Sequence, residues 1–259
     1  MLKKAIAAVA ALLATTTVGS AADLPAKVLA PAPIWSWTGF YGGVHVGAGW
    51  GTTESTLTGA SAPGLGAVAF TFPFSQNSRS GFLGGVQAGY NWQSGWAVFG
   101  VQGDFAGADI NGTTPCVVFL SCTTQSDWLA TVSGRIGAVV LDRGLIYAKG
   151  GVAWLNSTHS VSAPALLGGG GGLTQITSAE STAWGWLVGL GTEWMITRNW
   201  TAFIEYNYIE FDTRNEAFNI AFAGVPAFTI NADLKNKLSV AKVGVNYKFD
   251  WGAPVAARY

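Results

Sequence analysis

Few side chains in this sequence have the types and spacing for chemistry. Six charged residues, Asp104, Glu193 and Glu205 against Arg135, Lys149 and Lys242, stand singly in apolar, glycine-rich stretches. Carboxylates and cations balance, so their chemistry is ion pairing: a polar core, or a gate whose pairs exchange. The only histidines are His45 and His159. No second histidine or cysteine shares the level of His45, so it reads as a polar interior residue rather than a metal ligand. His159 lies between Thr158 and Ser160. A Ser/His pair is part of a hydrolase triad, but no acidic residue is placed to orient this imidazole. With that role set incomplete, no catalytic residue is assigned and the chain reads as a non-enzyme without metal or cofactor. The run Gly168 to Gly172 is a flexible loop tip, because a phosphate cradle needs a strand before it and a helix after it.

The remaining candidates depend on where the chain goes. Lys3 and Lys4, an apolar run from Ala5 to Ala14 and the small residues Gly19, Ser20, Ala21 and Ala22 form a secretory signal. Cleavage is expected after Ala21, which makes 1–21 the signal peptide. Loss of Lys3 and Lys4 leaves two fewer basic residues than the 14 acidic ones, a formal charge of −2, and no basic excess for nucleic acid. In an exported chain the only cysteines, Cys116 and Cys122, read as a loop disulfide, with two free thiols as the alternative. So short a ring contributes about 2 kcal/mol on the chain-entropy model, enough to pin a loop.

These positions must be held by strands. Charged residues are 11% and hydrophobic ones 49% of the chain, yet after the signal no apolar run approaches the ~20 residues of a membrane helix. A membrane chain without helices must close into a barrel, since only closure satisfies every backbone polar group in lipid. From Gly39 onward, eight segments alternate with period two. One face is apolar or aromatic, as in Phe40, Val44, Val46 and Trp50, or Trp184, Trp186, Val188 and Leu190. The other is glycine and polar, as in Tyr41, Gly43, His45 and Gly47. All six charged candidates share this second, inward face. The lumen of an eight-stranded barrel is just wide enough for side chains to fill, so the six should pair inside it.

Connections alternate in length. Gln93 to Gly95, Leu141 to Gly144 and Ile196 to Asn199 are tight turns, whereas Thr52 to Arg79, Ala106 to Ser126, Asn156 to Ser181 and Glu210 to Asn236 are long loops. Short periplasmic turns and long extracellular loops are the barrel pattern. Tryptophans sort the same way: Trp92, Trp194 and Trp200 beside the short turns, Trp50, Trp128, Trp154 and Trp184 beside the loops. They predict two aromatic girdles. The ten steps from Trp184 to Trp194 at ~3.3 Å, tilted by about 40°, span roughly 25 Å, the height of the apolar band. The expected fold is therefore all-β: an eight-stranded antiparallel transmembrane β-barrel over 37–249. It follows a disordered periplasmic leader, 22–36, and precedes a periplasmic tail, 250–259.

Several stretches in this order resemble a known family: Ala22-Asp23-Leu24-Pro25, Trp37-Thr38-Gly39-Phe40-Tyr41, Trp128-Leu129-Ala130-Thr131 with Gly134-Arg135, and Val243-Gly244-Val245-Asn246-Tyr247-Lys248-Phe249. The chain is similar to the small outer-membrane immunogenic proteins of alphaproteobacteria, porin-family barrels of the outer membrane protein A-like kind. The resemblance covers the mature chain. It implies an eight-stranded barrel in the bacterial outer membrane, both termini in the periplasm, and surface loops facing host or soil. The last strand also resembles the signal read by the barrel assembly machinery, through Tyr247 and Phe249. Ten residues follow Phe249, so Tyr259 is a second candidate for the terminal aromatic.

The expected function is a structural and surface-interaction role in the cell envelope. A narrow solute pore is the alternative, and a lipid-directed hydrolase using His159 is a third. Expected partners are outer-membrane lipids and lipopolysaccharide, the assembly machinery, and host or surface ligands at the loops.

Overall fold

A computed structural model describes residues 35–249 except 63, 65, 118–119, 165–172 and 221–227. These residues belong to one of the two compact units of the chain, Trp35–Tyr259; the other, Met1–Ile34, lies outside the described residues. The strands are β1 (Gly39–Ala62), β2 (Gly66–Ser94), β3 (Ala97–Val117), β4 (Leu120–Val140), β5 (Gly144–Pro164), β6 (Leu173–Met195), β7 (Trp200–Phe211), β8 (Arg214–Ile220) and β9 (Phe228–Lys248). All pairings are antiparallel, in the order β1-β2-β3-β4-β5-β6-β7-β9, and β1 pairs with β9 to close the ring. The wall is thus eight strands around. β8 is the upward continuation of β7: both run along β9, with register slipping by one residue between Glu210↔Lys237 and Arg214↔Leu234. At that break Asp212 donates its N–H to the Trp184 carbonyl at 2.9 Å, and Arg214 Nη2 donates to the Thr182 carbonyl at 3.1 Å.

Closure follows from the alternation. Outward positions such as Phe40, Val46, Phe82, Val101, Val132, Ile136, Val188, Leu190 and Ile204 are exposed, while their inward neighbours are buried. Among the described residues no helix is long and apolar enough to cross a membrane.

Three expectations need correction. The long connections are not irregular loops but raised β-hairpins. β1 pairs with β2 from Gly39↔Asn91 through to Ala62↔Gly66, and β5 with β6 through to Pro164↔Leu173. Their Ser/Thr-rich sequences continue the ladder because polar side chains on both faces suit strands standing clear of lipid. His159 consequently lies within β5, inward and buried. Trp35 and Ser36, assigned above to the leader, are packed. The Arg143 guanidinium sits 4.6 Å over the Trp35 ring, and Lys248 Nζ donates to the Ser36 carbonyl at 2.5 Å. The signal peptide, the rest of the leader, Gly168–Gly172 and the tail with Tyr259 lie outside the described residues.

Candidate functional site

The lumen is layered, and β2, β5 and β9 show the order. Along β2 the inward side chains run Gln87, Leu83, Arg79; along β5, Lys149, Ala153, Leu155, Ser157, His159; along β9, Lys242, Val240, Leu238, Asn236. At the short-turn end Trp37, Val98, Leu145, Tyr147 and Met195 form an apolar cap with Trp35 and Val139. An ionic layer follows, then an apolar septum, then a second polar layer.

The ionic layer brings together all six charged candidates. Lys242 Nζ lies 2.5 Å from Asp104 Oδ2 and 3.2 Å from Glu205 Oε1. Lys149 Nζ reaches the same Glu205 oxygen at 2.7 Å, and Arg135 Nη1 pairs with Glu193 Oε2 at 3.1 Å. Every one of these side chains is almost fully buried; Glu205 stands directly opposite Lys242, whereas the two cations Arg135 and Lys149, opposite each other, turn to different carboxylates, Glu193 and Glu205. Buried charges need every lone pair and proton met, and neutral neighbours supply the remainder. Glu193 Oε1 accepts from Thr201 Oγ1 at 2.5 Å and from Asn246 Nδ2 at 2.7 Å. Glu205 accepts from the Tyr147 hydroxyl at 2.9 Å and from Asn207 Nδ2 at 2.8 Å.

Sequence reasoning missed part of this layer. His45, read as a lone interior residue, places Nε2 2.9 Å from Asp104 Oδ2. Arg135 is held between two rings, 4.7 Å from the Tyr41 centroid and 5.0 Å from that of Tyr147. A chain of amides continues from Asn246 through Gln87 and Gln102 to the Tyr41 hydroxyl, with steps of 2.8, 3.1 and 3.0 Å. All these residues had inward parity; only the tertiary register shows that they touch.

The septum corrects the expectation that the inward face is glycine and polar throughout. Leu83, Ala106, Ile110, Leu129, Ala153, Leu155, Ala183, Leu187, Ile209, Phe211, Leu238 and Val240 pack into one buried cluster across the lumen. Every ring strand contributes except β1, whose Gly49 leaves the room that Ile110 fills; a Cβ there would collide with the Ile110 side chain. The signal was present as leucines at inward parity in otherwise polar rows.

The girdle candidates Trp50, Trp92, Trp154, Trp184, Trp194 and Trp200 are exposed on the outer wall, joined by Trp96 and Trp186. Trp128 is half-buried, stacked on Phe105 with centroids 5.9 Å apart. A bulge sets it there: Ser126 pairs with Ser157 and Trp128 with Asn156, so Asp127 and Trp128 both leave the inward row. At the end of β9, Tyr247 packs edge-on against Phe249 at 5.2 Å. Cys122 is disulfide-bonded, while the Cys116 side chain lies outside the described residues. Among the described residues no group of three or more His, Cys, Asp or Glu side chains could hold a metal ion.

A family model for the outer membrane protein beta-barrel domain matches residues 8–249. The chain belongs to that family. Among its relatives is the 31 kDa outer-membrane immunogenic protein of Brucella melitensis, 30% identical over 253 residues, covering 94% of this chain and 98% of the relative. The 22 kDa outer membrane protein of Rhizobium leguminosarum bv. viciae is 29% identical over 186 residues, 71% of this chain and 68% of that one. Among solved structures, OprG of Pseudomonas aeruginosa shares the fold with a TM-score of 0.52 at 13% identity, over 84% of this chain and 99% of the other. This barrel is a bacterial outer-membrane protein, and the resemblance to alphaproteobacterial outer-membrane immunogenic proteins holds along nearly the whole chain.

Proposed function

We propose that the barrel is a closed wall protein of the outer membrane whose raised hairpin rim makes contacts at the cell surface, without bulk conduction and without catalysis. The observation behind this reading is the stacking of an ionic layer beneath an apolar septum in one narrow lumen. A solute or ion would have to part coupled buried ion pairs and then shed its water against leucine, isoleucine and phenylalanine side chains. Either step alone is a barrier, and hydrophobic constrictions close pores by dewetting.

The exposed apolar wall and its tryptophan belts suit membrane lipid. Above the belts the surface turns polar, with paired charges such as Lys235 with Glu210 at 2.7 Å and Lys237 with Glu54 at 3.2 Å. This rim is the part suited to lipopolysaccharide and to host or environmental ligands. Tyr247 and Phe249, outward at the end of β9, suit the assembly machinery.

Planar-bilayer recording tests the closed wall. Protein refolded to its heat-sensitive form is expected to give no reproducible porin-sized channel, and a stable conductance of that size overturns the reading. The absence of catalysis is tested by His159→Ala, which should leave the cell's lipid A profile unchanged; an altered profile would restore the hydrolase alternative.

A further inference from the structure

Above the septum the lumen is polar again, and among the described residues its buried arginine has no carboxylate partner. Arg79 projects inward from β2 and is only 2% exposed. Its Nη1 donates to Ser126 Oγ at 3.0 Å. Its Nε and Nη2 are buried with no protein partner, and it makes no ion pair among the described residues. The contrast with the layer below is direct, since Arg135, Lys149 and Lys242 each face a carboxylate. A guanidinium keeps its charge in proteins, so an uncompensated one at this burial calls for a counter-ion. Burial alone pushes Arg79 down to about 10, with no neighbouring carboxylate acting against it.

The two unpaired nitrogens are not scattered. Nε and Nη2 lie on one edge of the guanidinium, the fork that takes two oxygens of a carboxylate, phosphate or sulfate side by side. Further polar groups stand around it. Ser126 Oγ and Ser157 Oγ are 3.1 Å apart, and His159 Nδ1 is 3.1 Å from Thr124 Oγ1. His159 Nε2 is buried and unpartnered, and the charge of Arg79 acts on this imidazole. With the Thr124 hydroxyl donating to Nδ1, Nε2 carries the hydrogen and becomes another donor. Glycine makes room: a Cβ on Gly112 would meet Asn77 Oδ1 and the Arg79 Cβ.

The position suits a ligand arriving from outside. Ser126 lies two residues beyond Trp128, and Ser157 and His159 three and five beyond Trp154, so the group sits above the outer girdle on the far side of the septum from the ionic layer. Glu216, opposite the buried Ala232 on the rim, forms no ion pair with Arg79.

We propose that Arg79, Ser126, Ser157, Thr124 and His159 form a binding site in the outer mouth of the barrel for a phosphate-class oxyanion. Arg79 grips two oxygens through its Nε/Nη2 edge, while the one hydroxyl hydrogen left free in the Ser126–Ser157 pair and the His159 Nε2–H take the others, and Thr124 holds the imidazole in that tautomer. Inorganic phosphate and the phosphate of a lipid headgroup share this chemistry. The proposal stands independently of whether the lumen conducts.

The test uses the full mature chain refolded in a maltoside detergent, titrated with inorganic phosphate against chloride at matched ionic strength. Binding is read by phosphorus NMR line width and by the titration midpoint of His159. The expected result is saturable phosphate binding that chloride does not reproduce, with the His159 midpoint moving up as the anion binds. Arg79→Gln should weaken binding at least tenfold, and Arg79→Lys should recover only part, because an ammonium is a point charge without the fork. Ser126→Ala, which keeps the cation, should weaken binding severalfold and serves if Arg79→Gln does not fold. A second arm compares dihexanoylphosphatidic acid with dihexanoylglycerol. Tighter binding of the acid than of free phosphate assigns the site to a lipid headgroup, and equal or weaker binding assigns it to free phosphate. Wild-type protein that responds to phosphate no more than to chloride, or a folded Arg79→Gln that binds as wild type does, sinks the proposal.

Discussion

Lys242 is the side chain on which the ionic layer turns, because its ammonium serves Asp104 and Glu205 together. Removing one member of a buried ionic set leaves the others uncompensated, at a cost of about 3–5 kcal/mol. Lys242→Met should lower the unfolding free energy by that amount in urea titrations on lipid vesicles. Adding Asp104→Asn should recover part of it, since Glu205 retains Lys149; a single variant as stable as wild type would remove the layer's structural role. His159, above the girdle, titrates in the opposite environment. Burial first, and the Arg79 charge second, push it down to about 4 from an ordinary value of 6.5. A depressed histidine binds its proton more readily in the unfolded chain, so its contribution is present above pH 6.5 and lost as pH falls from 6.5 towards 4. NMR of labelled His159 in anion-free buffer should show a midpoint well below 6, and hydrogen exchange in the β4–β5 hairpin should quicken across that window. Sequence parity placed Lys242, Asp104 and Glu205 in the lumen, whereas His159 and Arg79 fell in stretches read as loops. It could not say that Lys242 bridges two acids or that Arg79 has none, because partners come from register between strands far apart in the chain.

The hairpins show how local chemistry and ladder interact. The β4–β5 turn holds Leu141 at φ 49° and Asp142 at φ 61°, both in the left-handed region, which is costly for a branched apolar residue. The exposed Leu141 has no burial to offset it. Leu141→Asn with Asp142→Gly, the pair that tight hairpins favour, should stabilise the protein by about 1 kcal/mol in the same urea assay. No gain there would mean that the turn is set by its neighbours rather than by its own residues. At the other end, the Ser/Thr-rich connections looked like loops because their polarity is two-sided. Alternation marks a strand only where one face meets lipid or core, so a strand in water on both faces carries no such mark. The disulfide at Cys122 belongs to this rim, where a short ring contributes only about 2 kcal/mol. Reduction should therefore loosen the β3–β4 hairpin, seen as faster proteolysis there, while the barrel stays folded.

The whole molecule is a sealed ring, and its cooperativity should show in bulk behaviour. Unheated and boiled samples should migrate differently in detergent gels, because a closed antiparallel ring has no free edge from which to unravel. Identical mobility would contradict a closed ring in solution. Two of the four interior layers, the ionic one and the septum, depend on side chains from almost every strand, which makes the lumen's contents a property of the closed circle rather than of any segment. The same closure makes Arg79 notable: polar groups above and charged groups below are separated by apolar side chains, so the outer mouth must balance its own charge.

β architecture, an even ring, an outer-membrane location and the inward set of Asp104, Arg135, Lys149, Glu193, Glu205 and Lys242 follow from sequence alone. Period two, turn length and tryptophan placement are local signals that lipid enforces strand by strand. Only the tertiary structure decided that His45 joins Asp104, that Arg135 lies between Tyr41 and Tyr147, that inward leucines merge into a septum, and that Arg79 is left with an open fork. Each of these depends on register summed around eight strands, where a shift of two residues keeps every side chain on its face and changes every partner.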